Sequence, residues 1–432
     1  MTYDLTKLVQ SLANCPCGRK HEVNIDRIEI GAGVVSEAGG ILLDSGCGKG
    51  SRMHVVADRN TLGAARGILE SLRAAGFVLT TTIYDDLQLA DIEGVHRVLA
   101  ESGDAPMVLS VGTGSLNDIC RYACFKAGKA FSIFATAPSM DGFASTMAPI
   151  TENGFKRTYP AIGPKVLLAD TAILARSPVE LKAAGLGDLL GKYTALADWE
   201  VATLTTGEYY CERIATLTRD AVNKAVRLAR SGKADQPDEA YAAALMEALI
   251  LSGVAMYLSH STRPASGSEH HIAHFLEMQY ARRGMKPMFH GKKVGIACGM
   301  VADVYNRMSR VEAIKTKPHV LEEKMLQPMF GELYPELLKE NTPDPVADVD
   351  PGFLVDNWGR IREILSRVPS GEEVRSLLRA AGGVADWRSA GIPEDLARFA
   401  IRYGYYARFR ITLMRLLGMI DLGGAEDEIY AC

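Results

Sequence analysis

Asp188 in AAGLGDLLGK, His270 in SGSEHHIAH and His290 in MFHGKKVG are a carboxylate and two imidazoles, side chains of the kind that hold a divalent cation. A three-ligand protein set leaves positions open on zinc, nickel or iron, and an open position admits a substrate oxygen. Such a set argues for chemistry rather than scaffolding. Within HHIAH only His270 has a histidine four residues on, His274, because Phe275 stands four residues after His271. Positions i and i+4 share a helix face. His270 is therefore read as the ligand and His274 as its neighbour in the site.

A second constellation lies in the first half. MVLSVGTGSLNDICRYACFKAG is a buried-strand run followed by Gly112, Thr113, Gly114 and Ser115, then a helix beginning near Leu116. Glycine lets a backbone approach a ligand closely, and a helix N-terminus offers free N–H groups to a pyrophosphate. The GxGxxG pattern is incomplete, since Asn117 stands where a glycine would. Asp58 ends the VVAD run, where a carboxylate can accept from an adenosine ribose, although it precedes the glycine turn instead of following it. Arg59 beside it could instead receive the extra phosphate of NADP. ATAPSMDGFAS follows another apolar strand and offers the hydroxyls of Thr136, Ser139 and Ser145. Asp141, in the same stretch, reads equally as a turn-forming aspartate before glycine and as a substrate contact.

A third cluster, Cys15, Cys17 and His21 in CPCGRKH, could supply three ligands to a structural zinc. Its spacing is tighter than the usual finger and a fourth ligand is missing, so the preferred reading is a surface turn with free thiols.

Two kinds of element must position these groups. From about residue 25 to 175, β-rich runs at 27–30, 53–58, 78–84, 107–111, 131–135 and 165–169 alternate with helical stretches such as 61–75 and 116–126. Continuous apolar runs of this kind are strands covered on both faces of a parallel sheet, so the pattern is a doubly wound α/β one. The alternation breaks between 145 and 164, where Asn153-Gly154 between extended stretches signals a hairpin. After Ser177-Pro178 the texture turns helical, at 179–204, 212–231, 238–259, 292–308 and 396–417, with a loop at 343–351. The division expected is an α/β domain over 1–176, binding a dinucleotide on a parallel sheet, and an all-α domain over 177–432.

Composition narrows the class. The chain has 432 residues, 47% hydrophobic and 23% charged, with a net charge of −4. That length favours two domains, and that charge gives no basic surface for nucleic acid or an anionic membrane. The longest apolar stretch, 242–258, carries Glu247 and Ser252 and reads as a buried core helix. MTYDLTKLVQ lacks a secretory pattern, and eight cysteines in a chain this long are no disulfide framework, so a cytoplasmic protein with reduced thiols is expected.

GTGSLND, TAPSMDGFAS, AGLGDLLGKYTALADWE, RPASGSEHHIAH and FHGKKV together resemble the sn-glycerol-1-phosphate dehydrogenases, most closely their bacterial AraM-like branch. That family sits in the superfamily of iron-type alcohol dehydrogenases, glycerol dehydrogenase and 3-dehydroquinate synthase. The resemblance covers roughly residues 25 to 420 and includes RYGYYARFRITLMRLLG; the CPCG leader and the loop after Lys315 lie outside it. It implies that Gly114, Ser115, Leu116, Asn117, Asp118, Thr136, Ser139 and Ser145 contact NAD or NADP. It also implies that Asp141, Asp188 and His274 contact substrate and that Asp188, His270 and His290 hold one divalent metal.

The chemistry that fits is reversible reduction of dihydroxyacetone phosphate, with the carbonyl polarised by the metal and hydride delivered by NAD(P)H. His274 would orient the substrate or pass a proton. The phosphate needs cations, and Lys192, one turn beyond Asp188, is the first choice, with Lys292 and Arg263 behind it. Rival readings are a polyol dehydrogenase, a cyclising lyase that recycles NAD, and a silent metal or nucleotide sensor. The relatives form dimers or larger assemblies, so a homo-oligomer is expected.

Overall fold

The computed structural model describes residues 5–87 and 89–432, so the first four residues of the MTYDLTKLVQ leader lie outside it. The leader's helix α1 (Leu5–Ser11) is followed by an irregular run up to the first strand. Six strands form one parallel sheet: β1 (Arg27–Gly31), β2 (Arg52–Asp58), β3 (Val78–Tyr84), β4 (Met107–Gly112), β5 (Ala130–Ala135) and β8 (Val166–Asp170). Their order is β1-β8-β5-β4-β2-β3. The strands anticipated from apolar runs are all present, displaced by a residue or so at their ends.

Alternation along the strands explains why both sheet faces are covered. Phe131, Ile133, Leu167 and Ala169 pack into a core on one face, whereas Phe134, Val166, Leu168, Leu109 and Val111 pack into a core on the other. Helices α2 (Val34–Asp44) and α4 (Ile68–Ala74) carry residues of the second core, and α3 (Arg59–Ala64) packs Leu62 against it; α5 (Ile92–Glu101) and α6 (Gly114–Ala127) carry residues of the first. One expected helix, 61–75, is two: Gly67 adopts φ 98°, which breaks the run between α3 and α4. The sequence of connections reverses direction between β2 and β4, which opens a crevice at their C-terminal ends, where ligands of doubly wound sheets bind.

Between β5 and β8 the chain leaves the sheet in a hairpin, β6 (Met147–Glu152) and β7 (Phe155–Pro160). Asn153 and Gly154 both take positive φ, 51° and 74°, as a two-residue hairpin turn of this hand requires.

Helices α7 (Thr171–Arg176), α8 (Val179–Thr206), α9 (Glu212–Leu228), α10 (Glu239–Ser259), α11 (Ser268–Arg282) and α12 (His290–Met308) follow. α10 is long and apolar enough to cross a membrane, but 78% of its most apolar window is buried within the protein. α8 and α12 cross at glycines: a Cβ on Gly291 would stand 2.0 Å from the Ala184 carbonyl oxygen, and one on Gly187 2.5 Å from that of Gly291. The late segment departs from expectation. In place of one helix over 396–417 there is a helix at Glu394–Tyr403, a 3-10 turn at Gly404–Ala407, and an irregular run before a short helix at Leu413–Leu416. Arginines hold that run open: Arg408 donates to Thr158 Oγ1, Arg410 to the Ser266 carbonyl, and Arg415 to Asn341 Oδ1 and the Tyr405 carbonyl. A two-residue antiparallel ladder, Lys315–Thr316 with Ile420–Asp421, is a small exception to the all-helical reading of this half.

Candidate active site

The close α8–α12 crossing sets Asp188 beside His290, and α11 brings His270 to them. The ligand atoms of Asp188, His270 and His290 lie within 4.8 Å of one another. His270 Nε2 is 3.6 Å from Asp188 Oδ1, and the His270 and His290 rings are 5.2 Å apart. On its other side, His270 Nδ1 is 2.7 Å from Glu269 Oε1. A carboxylate accepts, so Nδ1 carries the proton and Nε2 keeps its lone pair toward Asp188, the tautomer a ligand needs. Glu269 is itself held by Thr194 Oγ1 at 2.5 Å and the Gly267 N–H at 2.7 Å. Burial, then His270 and Lys293, push the His290 imidazole well below its ordinary pKa. Two imidazoles and a carboxylate suit a divalent metal, so the donor set fits the ion implied by the sequence.

Behind the triad lies a buried charge cluster. Lys192 is fully buried, with its Nζ 2.8 Å from both Asp188 Oδ1 and Asp141 Oδ2. Burial opposes its charge, but Asp141 and Asp188 outweigh that and hold the ammonium above its ordinary pKa. Asp141 also accepts from Ser252 Oγ at 2.9 Å, and its N–H donates to Asp188 Oδ2 at 2.9 Å. Asp141 is therefore more than a turn former. Its loop is seated by Arg121 of α6, which donates to the Phe143 and Met147 carbonyls, and by Gly253 of α10, where a Cβ would stand 2.7 Å from the Asp141 carbonyl oxygen.

The cleft runs from this cluster to the crevice at the sheet edge. Gly114, Ser115, Asp118, Ser139, Asp141, Ser145, His270, His274 and His290 line it. Leu116, Asn117, Thr136 and Asp58 do not. Leu116 packs into the core, Asn117 Oδ1 accepts from Ser110 Oγ at 2.7 Å, and Thr136 is buried at the end of β5. Asp58 caps α3 by accepting from the Thr61 N–H at 2.8 Å, while Arg59 pairs with Asp85. His274 lines the cleft, held neutral by burial and then by Arg408, and its Nδ1 has no hydrogen-bond partner among the described residues.

The three cations expected to hold the phosphate are engaged by carboxylates. Lys192 faces two carboxylates inside the protein and not the cleft. Lys292 pairs with Glu180, and Arg263 is clamped by Glu208 and the Ile411 carbonyl, so neither is free for substrate. The cations that line the cleft are Lys156 from β7, Lys293 from α12 and Arg408. Glu277 binds Lys156 at 2.6 Å and Lys293 at 2.8 Å; burial works against its charge, yet these two ammonium groups hold it well below the usual carboxylate range. Two lysines on one carboxylate leave a net positive charge, and Arg408 adds another. Helical spacing could have found part of this group, since Glu277 is three residues after His274 and Lys293 three after His290. Lys156 and Arg408 come from a hairpin and a late irregular run, which no local spacing links to the triad.

Residues 29–178 match the iron-containing alcohol dehydrogenase family. A glycerol-1-phosphate dehydrogenase [NAD(P)+] of Bacillus velezensis is 33% identical over 84% of this chain and 84% of its own length. The enzyme of that name from Geobacillus stearothermophilus is 30% identical over 96% of this chain and 98% of its own. Among solved structures, the NADH-dependent butanol dehydrogenase A of Thermotoga maritima superposes over 95% of this chain and 96% of its own with a TM-score of 0.62 at 15% identity, a likeness of fold.

Proposed function

Since the chain belongs to the NAD(P)-dependent glycerol-1-phosphate dehydrogenases, we propose that it reduces dihydroxyacetone phosphate reversibly to sn-glycerol 1-phosphate, using one divalent metal held by Asp188, His270 and His290. The observation that carries this reading is that His270 and His290, with Asp188 behind them in ligand reach, line a cleft whose other end is the Gly114–Ser115 turn at the start of α6.

When bound, the metal supplies a Lewis acid for the substrate carbonyl and NAD(P)H supplies the hydride. The chain's own residues do the rest. Glu269 fixes the tautomer of His270, and Lys192 balances the paired charges of Asp141 and Asp188. The first turn of α6 presents N–H groups without intrahelical acceptors to the cofactor's pyrophosphate, with Ser115, Ser139 and Ser145 as hydroxyl partners. Lys156, Lys293 and Arg408 attract the substrate phosphate, which favours a phosphorylated ketone over a neutral polyol. His274 is assigned to proton delivery at the reacting oxygen, since a neutral imidazole can give a proton from one nitrogen while taking one at the other. Asp58 is taken up by the α3 N-cap, so kinetics with each cofactor decide between NAD and NADP. A cytoplasmic location and a homodimer or larger assembly complete the proposal; light scattering tests the latter.

The decisive experiment strips the protein with a chelator, reloads zinc, nickel or iron separately, and resolves the handedness of the product made from dihydroxyacetone phosphate and NADH. Turnover should return with metal, the product should be the sn-1 phosphate, and glycerol should be a poor substrate in reverse. Asp188→Asn should lose turnover by about three orders of magnitude, the several kcal/mol that Lewis-acid stabilisation supplies. Turnover that survives complete removal of bound ions overturns the reading. Arg408→Ala should raise KM for dihydroxyacetone phosphate while leaving dihydroxyacetone, its unphosphorylated analogue, unaffected; an equal effect on both would remove the phosphate assignment.

A further inference from the structure

The CPCGRKH leader lacks a fourth ligand in sequence, and the fold provides one. Cys211, at the N-cap of α9, lies against the leader although 196 residues separate it from Cys15. Cys15 Sγ is 3.4 Å from Cys211 Sγ, Cys17 Sγ is 3.2 Å from His21 Nε2, and Cys211 Sγ is 3.8 Å from His21 Nε2. The four ligand atoms all fall within 4.8 Å of one another. We propose that Cys15, Cys17, His21 and Cys211 form a structural zinc site of the Cys3His type, separate from the catalytic cleft.

Three features argue for it. Zinc–sulfur and zinc–nitrogen bonds of about 2.3 and 2.0 Å in a tetrahedron put neighbouring ligand atoms about 3.5–3.8 Å apart, the spacing these side chains already approach. His21 Nδ1 is 2.8 Å from the Leu258 carbonyl oxygen, which can only accept. Nδ1 is therefore protonated and Nε2 presents its lone pair to the sulfurs, the arrangement by which a backbone carbonyl orients a metal-bound histidine. The site also has a structural task. Residues 12–26 have neither helix nor strand, and Leu12 and Ile25 are their only buried apolar side chains. A zinc here ties the leader to the α8–α9 turn through Cys211 and, through His21, to the end of α10. His21 and Cys211 are buried while Cys15 and Cys17 are partly exposed, so the site is closed on the protein side and reachable by an ion. The Tyr209 hydroxyl donates to Cys17 Sγ at 3.5 Å, and the Arg19 guanidinium lies 3.6 Å from the Tyr209 ring centre, which tempers the negative charge of three thiolates on one zinc.

The test is metal content and cobalt spectroscopy on the full chain. Wild type should carry about one equivalent of zinc beyond the catalytic ion, and Cys211→Ser should lack that equivalent. Cobalt(II) in the metal-free protein should give the intense sulfur-to-cobalt charge-transfer absorption that nitrogen and oxygen ligands cannot produce. That absorption should persist in His290→Ala, whose catalytic triad is broken, and vanish in Cys211→Ser. Should the serine variant fail to fold, thiol titration of native wild type decides: three cysteines should become reactive only after chelation. A cobalt-saturated wild type without thiolate absorption, or a Cys15–Cys211 disulfide in protein purified without reductant, overturns the proposal whatever the catalytic metal does.

Discussion

Asp118 lines the cleft one turn into α6, close to where the cofactor's pyrophosphate is proposed to lie. Burial, with Glu277 and Asp141 adding to it, pushes its carboxyl up to about 7 against the opposing pull of Arg121 and Lys156. Below that pH the group is neutral and can donate a hydrogen bond; above it a carboxylate faces an anion. Cofactor affinity should therefore fall as pH rises through about 7, by no more than about tenfold per unit, the limit for one coupled proton. Binding titrations of NADH from pH 6 to 8 should show this fall in wild type and not in Asp118→Asn; equal slopes would remove Asp118 as the cause. The same shift has a sign for folding. A carboxyl raised in the folded state binds its proton there more tightly than in the unfolded chain, so stability it contributes in acid is lost between about pH 4 and 7. Lys192 gives a second residue-scale prediction. Lys192→Met leaves Asp141 and Asp188 buried without their cation and should destabilise the metal-free protein by about 3–5 kcal/mol in urea unfolding. Its KM for dihydroxyacetone phosphate should not change; a raised KM would reinstate the phosphate role first read from its helical spacing. Sequence placed Lys192 on the correct helix face, since i and i+4 do meet, but could not say that Asp141 closes over the ammonium from a loop 51 residues away.

At the scale of elements, the site depends on how closely α8 and α12 approach. Gly291→Ala would put a methyl 2.0 Å from the Ala184 carbonyl oxygen, too near for any rotamer to relieve, so the helices must part. The expected cost is about 1–3 kcal/mol, and because His290 precedes Gly291, metal affinity should fall with it. Gly299 on the same helix is the control. Its nearest neighbour to an added Cβ is Arg375 Cγ at 3.7 Å, so Gly299→Ala should be neutral or gain about 0.5–1 kcal/mol from helix propensity. Thermal melts of the two variants, with and without metal, should separate in opposite directions; parallel behaviour would show that the crossing does not set the metal site. The glycines of AGLGDLLGK and FHGKKVG were visible as family motifs, whereas their task is legible only once two helices are seen to touch. The 396–417 run shows the converse. Its apolar spacing suits a helix, yet the guanidinium groups of Arg408, Arg410 and Arg415 tie the irregular run to partners 74 to 250 residues distant, which local periodicity does not encode.

For the molecule as a whole, the change of texture near Arg176 and Ser177 divides two kinds of secondary structure, and the question is whether it also divides two folding units. One apolar core runs across that line. Ile28, Phe131, Ile133 and Leu167 of the sheet share it with Leu196, Trp199, Ile214, Met246, Ile250 and Leu258 of α8, α9 and α10. In the other direction, Phe155 of the hairpin packs into the helical core, and Lys156 beside it is bound by Glu277 of α11. Each fully buried Leu, Ile or Phe contributes about 1.5–3 kcal/mol, so exposing the shared surface would cost more than the 5–15 kcal/mol by which a domain is ordinarily stable. Neither half should survive loss of the other. Calorimetry of the metal-free, cofactor-free chain should then give a single transition whose van't Hoff and calorimetric enthalpies agree. Residues 177–432 produced alone should expose Trp199, Ile250 and their neighbours and fail to show cooperative melting. Two resolved transitions, or a helical half that melts sharply by itself, would establish independent domains and would move the cleft from the seam of one body to the interface of two.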